Sequence, residues 1–423
     1  MKRRISDRCA WRRLAGVGAV LSGVLVLPLA GCGQDDAAPL PVSPSAATGA
    51  AAPTAEQLAR GAYLAKVGNC AGCHTAPGGA AMAGGVRLQT PFGAVHAGNL
   101  TPDPTTGLGQ WTADDFHRAM HEGRSRDGRL LVPAFPYTSF THVARDDSDA
   151  LFAYLRRLPP VVQPARPHEL RFPYGTQAAM VAWRWLHFKP AAAQAQAPTG
   201  GLARGEYLVR GLGHCGECHA PRNRWGAMQD DLSGGEMPGE RWHAPSLHPV
   251  GGTDVGVAQT VALLRDGMNA QGTATGPMAR VVLDSTQHWR ATDLEQAALY
   301  LQQLPQQPAP AAVQTASATQ LAAGAKLYAD RCANCHGDNG GGVPGVYPPL
   351  AGNPSVTAPS IRNLVQVLRH GGFPASTAGN PRPYGMPPSE LSDTDTAAVL
   401  SHLRQSWGNQ AGAVSALDVL RAR

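Results

Sequence analysis

Three times along this chain an acidic or hydroxylic cap runs into apolar residues spaced as on one face of a helix. Asp147-Ser148-Asp149 leads into Leu151-Phe152-Ala153-Tyr154-Leu155, Ala291-Thr292-Asp293 into Leu299-Tyr300-Leu301, and Ser392-Asp393-Thr394-Asp395 into Val399-Leu400. The caps satisfy the first free N–H groups, and the spacing gives each helix an apolar side to bury. A second threefold pattern lies upstream: Arg60-Gly61-Ala62-Tyr63-Leu64, Arg204-Gly205-Glu206-Tyr207-Leu208 and Ala323-Gly324-Ala325-Lys326-Leu327-Tyr328. There the glycine admits a second helix at close range and an aromatic packs about one turn on. Together the patterns predict three helical units, each opened and closed by an amphipathic helix. Stretches rich in Ala and Pro, without periodicity, precede them at residues 33–54, 190–198 and 303–318. The units are thereby placed at residues 55–190, 201–305 and 319–410, with a tether over 32–54, a linker over 306–318 and a tail over 411–423.

Two segments fall outside this plan. Residues 171–190 carry Trp183, Trp185, Leu186 and Phe188, but Arg184, His187 and Lys189 interrupt a run far too short to span a bilayer. They are expected to form a connecting helix packed between units. The tail holds Val414, Leu417, Val419 and Leu420, a weak amphipathic pattern open to membrane contact, partner contact or fraying.

Directly after each opening helix stands the same five-residue pattern: Cys70-Ala71-Gly72-Cys73-His74, Cys215-Gly216-Glu217-Cys218-His219 and Cys332-Ala333-Asn334-Cys335-His336. Two thiols three residues apart can both bond the vinyl groups of a haem, and the adjoining His then faces the iron. A zinc site or a redox dithiol would account for Cys-x-x-Cys but not for a fixed third residue repeated three times. The expectation is three covalent haem c groups on Cys70 and Cys73, Cys215 and Cys218, and Cys332 and Cys335, with His74, His219 and His336 as proximal iron ligands. A chain of 423 residues has room for about three domains of ordinary size. Six of the eight cysteines lie in the motifs, leaving Cys9 and Cys32.

Both leftovers belong to the N-terminus. Residues 1–13 are basic, residues 14–30 are apolar, and Leu29-Ala30-Gly31-Cys32 follows, the layout of an export signal over residues 1–31. The last four residues resemble the lipobox of bacterial lipoproteins, which implies cleavage before Cys32 and a lipid on its sulfur. An ordinary cleaved signal and an uncleaved anchor are the alternatives. The expected location is the periplasmic side of the cell membrane, at its surface. The formal charge of +6 then misleads, because residues 1–31 hold six of the Lys and Arg and one acid. The remainder has 30 basic and 29 acidic residues, a net charge of +1 before any haem propionates, so nothing points to nucleic acid. With 36 Pro and 49 Gly, the units are expected to be loop-rich around their cofactors.

More specific strings carry a family resemblance. They are Thr90-Pro91-Phe92-Gly93, Asn99-Leu100-Thr101-Pro102-Asp103 and Pro136-Tyr137-Thr138-Ser139-Phe140 in the first unit, and Gly276-Pro277-Met278-Ala279 with Ser285-Thr286-Gln287-His288 in the second. In the third they are Tyr347-Pro348-Pro349-Leu350-Ala351-Gly352-Asn353-Pro354 and Ser406-Trp407-Gly408-Asn409. The chain resembles the three-haem cytochrome c subunits of bacterial membrane-bound dehydrogenases for alcohol, gluconate or fructose, from about residue 55 to about residue 410. The resemblance implies an all-α fold of three tandem cytochrome c-like domains.

A haem iron used for fast electron transfer usually takes a Met as sixth ligand, from the loop before the closing helix. Met278 and Met386, each beside Pro and Gly, stand 59 and 50 residues beyond their proximal His, and both match the family's ligand position. The first unit departs from the family, whose Pro-Ala-Met-Pro-Tyr reads here Pro133-Ala134-Phe135-Pro136-Tyr137. Phe has no lone pair to give. Among substitutes, Met120 aligns with Leu264 and Leu368, a helical core position, and His121 aligns with Arg265 at the surface. His96 aligns with His243 of a unit that already has Met278, and Met82 lies in a Gly-rich loop. The first haem is therefore expected to lack Met ligation and to be five-coordinate, water-bound or captured by a nearby His.

No nucleotide-binding glycine turn follows a predicted strand, so substrate oxidation is left to a partner. The expected function is an electron-transfer subunit between a flavin, quinone-cofactor or molybdenum dehydrogenase and ubiquinone or a terminal oxidase. Two rivals remain. One is a peroxidase-like haem enzyme with an open first iron and His96 or His121 as acid-base group; the other is a free-standing electron shuttle.

Overall fold

The computed structural model describes residues 52–237, 239–249, 256–307 and 313–423. The export signal, Cys32 and all but the end of the tether lie outside the described residues.

The first unit runs α1 (Ala55–Val67), α2 (Cys70–His74), β1 (Arg87–Thr90), β2 (Gly93–His96), α3 (Ala113–Glu122), α4 (Tyr137–Phe140), α5 (Arg145–Leu155), β3 (Glu169–Leu170) and α6 (Gln177–His187). The second runs α7 (Gly201–Glu206), which continues as a π-helical segment over Tyr207–Leu212, then α8 (Gly216–His219), β4 (Gly235–Met237), β5 (Trp242–Ala244), α9 (Gly256–Asp266), α10 (Gly276–Asp284) and α11 (Ala291–Gln302). The third is α12 (Ala318–Arg331), α13 (Ala333–His336), α14 (Pro354–Thr357), α15 (Arg362–His370), α16 (Asp393–Gln405) and α17 (Ala416–Ala422).

The structure is helix-rich, as expected, with a few short strands added. The framework is helical, but β1 and β2 form an antiparallel hairpin, Arg87 opposite His96, that β3 extends, and β4 and β5 form a second hairpin in the equivalent place. These short strands carry backbone away from the cysteine motif and return it under the histidine, a path a helix of 3.6 residues per turn could not take in so few residues.

Opening and closing helices cross at the predicted glycines. A methyl group on Gly61, Gly205 or Gly324 would overlap the carbonyl oxygen of Ala150, Gln296 or Ala398 respectively, so backbone touches backbone in all three units. The apolar clusters do not divide along the three units, and a small one of Ala274, Val282 and Ala375 joins the second unit to the third. Leu64, Val67, Phe116 and Leu151 of the first unit pack in one continuous cluster with Leu208, Leu212, Trp289 and Leu294 of the second. The third unit has its own cluster, built on Tyr328, Val365, Leu400 and Leu403.

A reciprocal polar clasp reinforces the fused pair. Tyr63 Oη donates to Asp293 of the other unit and Tyr207 Oη to Asp147, both at 2.6 Å. Arg204 holds Asp293 with two hydrogen bonds of 2.9 and 3.0 Å, while Arg60 approaches Asp147 at 2.5 Å and Asp146 at 2.8 Å. Counted from the crossing glycine, the third unit has Ala323 for the arginine and Lys326 for the tyrosine, so it cannot make this clasp. It attaches by other polar contacts, including Asn363 to both backbone groups of His243 and Arg362 to Glu236 at 2.6 Å.

Two peripheral expectations change. The tail does not fray: Val414, Val419 and Ala422 are buried in the third core, and Ser415 caps α17 in a capping box with Asp418. The connecting helix α6 packs on one side only. Trp183 Nε1 donates to the carbonyl of Trp225 at 2.9 Å, bridging the first two units, but the opposite face is open to solvent.

Candidate haem attachment sites

In each unit the Cys-x-x-Cys-His pattern forms a single helical turn, so residues three apart share a face and the histidine follows one step round. What orients the histidine is the same three times. His74 Nδ1 donates to the carbonyl of Gly98 at 2.7 Å, His219 Nδ1 to that of Pro245 at 2.7 Å, and His336 Nδ1 to that of Pro348 at 3.0 Å. A carbonyl only accepts, so Nδ1 must carry the proton and Nε2 keeps its lone pair for a metal. β2 and β5 lead within two residues into Gly98 and Pro245, which is what the hairpins achieve. Burial lowers the pKa of all three imidazoles, with the carbonyl bond opposing it, and so favours the neutral, ligating form.

The first site opens on a cavity of about 1690 Å³. Its wall includes Cys70, Cys73 and His74, and facing apolar residues such as Leu100, Trp111, Phe116 and Leu155. Two sulfurs, a histidine with a free Nε2 and an apolar lining are the donor set a covalent haem requires, so these residues fit the group.

Phe135 lines the same cavity. Leu131 N donates to Gly123 O, and Ala274 N to Gly267 O, both at 2.8 Å and both just beyond the preceding helix. Counting four residues on from each gives Phe135 and Met278, so the two side chains hold equivalent places in their units. Met278 itself lies in the first turn of α10, where Pro277 starts the helix, rather than in an irregular loop. Met386 does lie in a loop, tied to Gly372 by two backbone hydrogen bonds of 2.9 and 2.7 Å, and packs against the third core.

The substitutes sort by position. His96 lines the cavity, but its Nε2 is engaged by Glu169 at 3.0 Å, and it sits two residues before the carbonyl that anchors His74. Met82 is buried next to His74, hydrogen-bonds through its backbone to Thr75, and does not line the cavity. His121 stacks on His117 at 5.3 Å along α3. Met120 lines the cavity but is packed into the shared core. A residue the sequence reading passed over, Met180, also lines it. It is the one buried residue of α6 and belongs to none of the core clusters. Its signal was present in the sequence, three and four residues before Trp183 and Arg184, but the segment was taken only as a connector.

The sites adjoin in chain order. Glu217, inside the second motif, accepts from Thr138 Oγ1 at 2.9 Å and Ser139 Oγ at 3.1 Å, which directly follow the Phe135 segment. Arg222 at 2.5 Å balances its charge. Met278 packs with Ala375 of the third unit, and a methyl on Gly372, the backbone partner of Met386, would touch Thr275. The second site thus presents its attachment side to the first and its methionine side to the third.

A family model described as Cytochrome c matches residues 321–407. Among characterised proteins, the chain is 37% identical to the cytochrome c subunit of a quinone alcohol dehydrogenase from Gluconacetobacter polyoxogenes, covering 86% of this chain and 83% of that one. It is 35% identical to the gluconate 2-dehydrogenase cytochrome c subunit of Pantoea cypripedii, over 86% and 89% of the two chains. The fructose dehydrogenase cytochrome subunit of Gluconobacter japonicus is 30% identical over 86% and 82%.

Proposed function

Because the chain belongs to the cytochrome c subunits of alcohol, gluconate and fructose dehydrogenases, we propose that it is a three-haem electron-transfer subunit. It accepts electrons from a partner dehydrogenase on the periplasmic side and delivers them to ubiquinone or a terminal oxidase. The observation that carries this reading is the threefold repetition of a cysteine motif whose histidine is clamped through Nδ1 to a backbone carbonyl. Haem c, when bound, supplies a one-electron redox centre at each. Cys70 with Cys73, Cys215 with Cys218 and Cys332 with Cys335 attach the groups, and His74, His219 and His336 ligate the iron. Met278 and Met386 supply the sixth ligand in the second and third units. The adjacency of the sites supports the order first, second, third, with the second in the middle.

Residues 1–31 direct export, and Cys32 carries a lipid that keeps the protein at the membrane surface. Substrate chemistry belongs to the partner, whose cofactor class the chain does not specify. The test is purification from membranes in mild detergent, with haem counted per polypeptide and the bound subunit identified. Three haems, a co-purifying dehydrogenase and reduction of the haems by that enzyme's substrate are expected. Fewer than three haems, or a protein that no dehydrogenase reduces, would overturn the reading.

Phe135 favours a second reading, a peroxidase-like enzyme at the first iron. Cyanide binding to one haem together with steady-state peroxide reduction would select it.

A further inference from the structure

Helix α6 is amphipathic the wrong way round. Ala178, Val181, Ala182, Trp185 and Leu186 fall at i, i+3, i+4, i+7 and i+8, the spacing of a single apolar stripe, and all five are exposed. Val181, Trp185 and Leu186 are 59, 84 and 61% exposed, and Phe172, on the turn leading into the helix, is 88% exposed. The other side is the one the protein uses: Met180 is buried, Trp183 bonds Trp225, and Arg184 lies over the rings of Phe188 and Tyr137 at 4.6 and 5.3 Å. The helix is held by its mixed face; Ala182 and Leu186 border the first cavity, while Phe172, Val181 and Trp185 lie outside it and face solvent. Its N-terminus is fixed as well, by the Thr176 cap and by Gln177, whose side chain bonds both backbone groups of Leu130.

We propose that this face beds into the headgroup layer of the membrane, with α6 lying parallel to the surface. This deepens the proposed location and rests on the reading that the protein is exported to a membrane. Three observations select a bilayer. Residues 171–200 contain no Asp or Glu, and Arg171, six residues before α6 and bonded to the Pro91 carbonyl, and Lys189, two residues after it, are exposed, matching anionic lipid. Arg224 and Trp225, 46% exposed, extend the same rim. The exposed set joins Trp and Phe to aliphatic residues and flanking cations, the composition that partitions to a lipid–water interface. Eleven residues give a helix of about 16 Å, too short to cross a bilayer but long enough to lie in its surface. Cys32 stands 20 residues before the first described residue, Ala52. The α6 face supplies the orientation, and it turns toward the bilayer the side where the first and second units meet.

The experiment compares two haem-loaded proteins exported by a conventional cleaved signal peptide in place of residues 1–31, C32S and C32S combined with F172S, V181S and W185S, in co-sedimentation with vesicles of phosphatidylethanolamine and phosphatidylglycerol. The substituted side chains are all exposed, and an unchanged haem spectrum verifies the fold of both. Binding by C32S, with a blue shift of tryptophan emission, and a loss on the order of tenfold or more in the second protein are expected, since burying even one large apolar side chain is worth about that factor. Equal partition of the two, or no binding by C32S, overturns the proposal. So does retained vesicle binding with lost capture of the dehydrogenase subunit, which would assign the face to that protein. Absence of the unsubstituted protein from washed cell membranes would instead count against the location reading, which the vesicle comparison does not assume.

Discussion

Asp147 and Asp293 occupy equivalent places in the clasp, yet replacing each with Asn should cost very different amounts. Asp293 is the bidentate partner of Arg204, with side chains only 9% and 10% exposed, and it also receives Tyr63. In Asp293→Asn the guanidinium loses the one carboxylate within salt-bridge distance among the described residues, Asp147 acting on it only from further off, and stays buried, a loss of about 3–5 kcal/mol. Asp147 is equally buried, but its cation, Arg60, is 40% exposed and keeps Asp146 at 2.8 Å. The Asn oxygen can still accept from Tyr207, so Asp147→Asn should cost about 1–2 kcal/mol, the range for weakening one buried hydrogen bond. For a fused pair of this size each kcal/mol moves the melting point by roughly 2–4 °C, which gives roughly 6–20 °C for Asp293 and 2–8 °C for Asp147. Scanning calorimetry of the haem-loaded protein reads both, and the third unit, with its separate core, serves as internal reference. Equal losses, or the larger loss at Asp147, would refute the reasoning that the arginine's second carboxylate decides the difference.

The same pair should titrate in opposite senses. Burial raises the Asp147 pKa above its ordinary 3.8 despite Tyr207 and Arg60, whereas at Asp293 burial is outweighed by Arg204 and Tyr63 and the pKa falls below 3.8. The Asp293 contribution is therefore present above the ordinary carboxylate pKa and lost as pH falls through its lowered folded value, while folding gains from proton uptake at Asp147 before that point. Denaturant titrations against pH should show the acid-side loss shrink in Asp293→Asn and the preceding gain vanish in Asp147→Asn. Phe135→Met should add a His/Met signature to the low-temperature EPR spectrum and raise the first haem's potential. Three His/Met signals before the substitution would show that Met120 or Met180 already serves, and the corresponding Leu variants would say which. Gly324→Ala should destabilise the third unit by about 1–3 kcal/mol or more, because the methyl meets the Ala398 carbonyl, with the calorimetric transition of the first two units unmoved.

What could be read from sequence and what could not divide along one physical line. The crossing glycines, the caps and the cysteine turns are local: each needs only residues within a helical turn or a repeated backbone contact, and Gly61, Gly205 and Gly324 sit where the pattern put them. The carbonyls that hold His74, His219 and His336 come from 24, 26 and 12 residues away, and no side chain marks them. The clasp was hidden for a related reason. Arg60 and Tyr63 looked like repeated packing residues, and only the pairing of the units shows that the tyrosine reaches the other unit's aspartate. The first sixth-ligand position combines both difficulties. Phe135 was legible because it is a single local departure from the family's Pro-Ala-Met-Pro-Tyr, but a replacement ligand need not be local at all. Met180 lies 45 residues beyond Phe135 on a helix the repeat does not contain, brought over the cavity by the pairing of Gln177 with Leu130. An internal alignment can show that a ligand is gone; which side chain reaches the iron instead depends on packing between elements the alignment never compares.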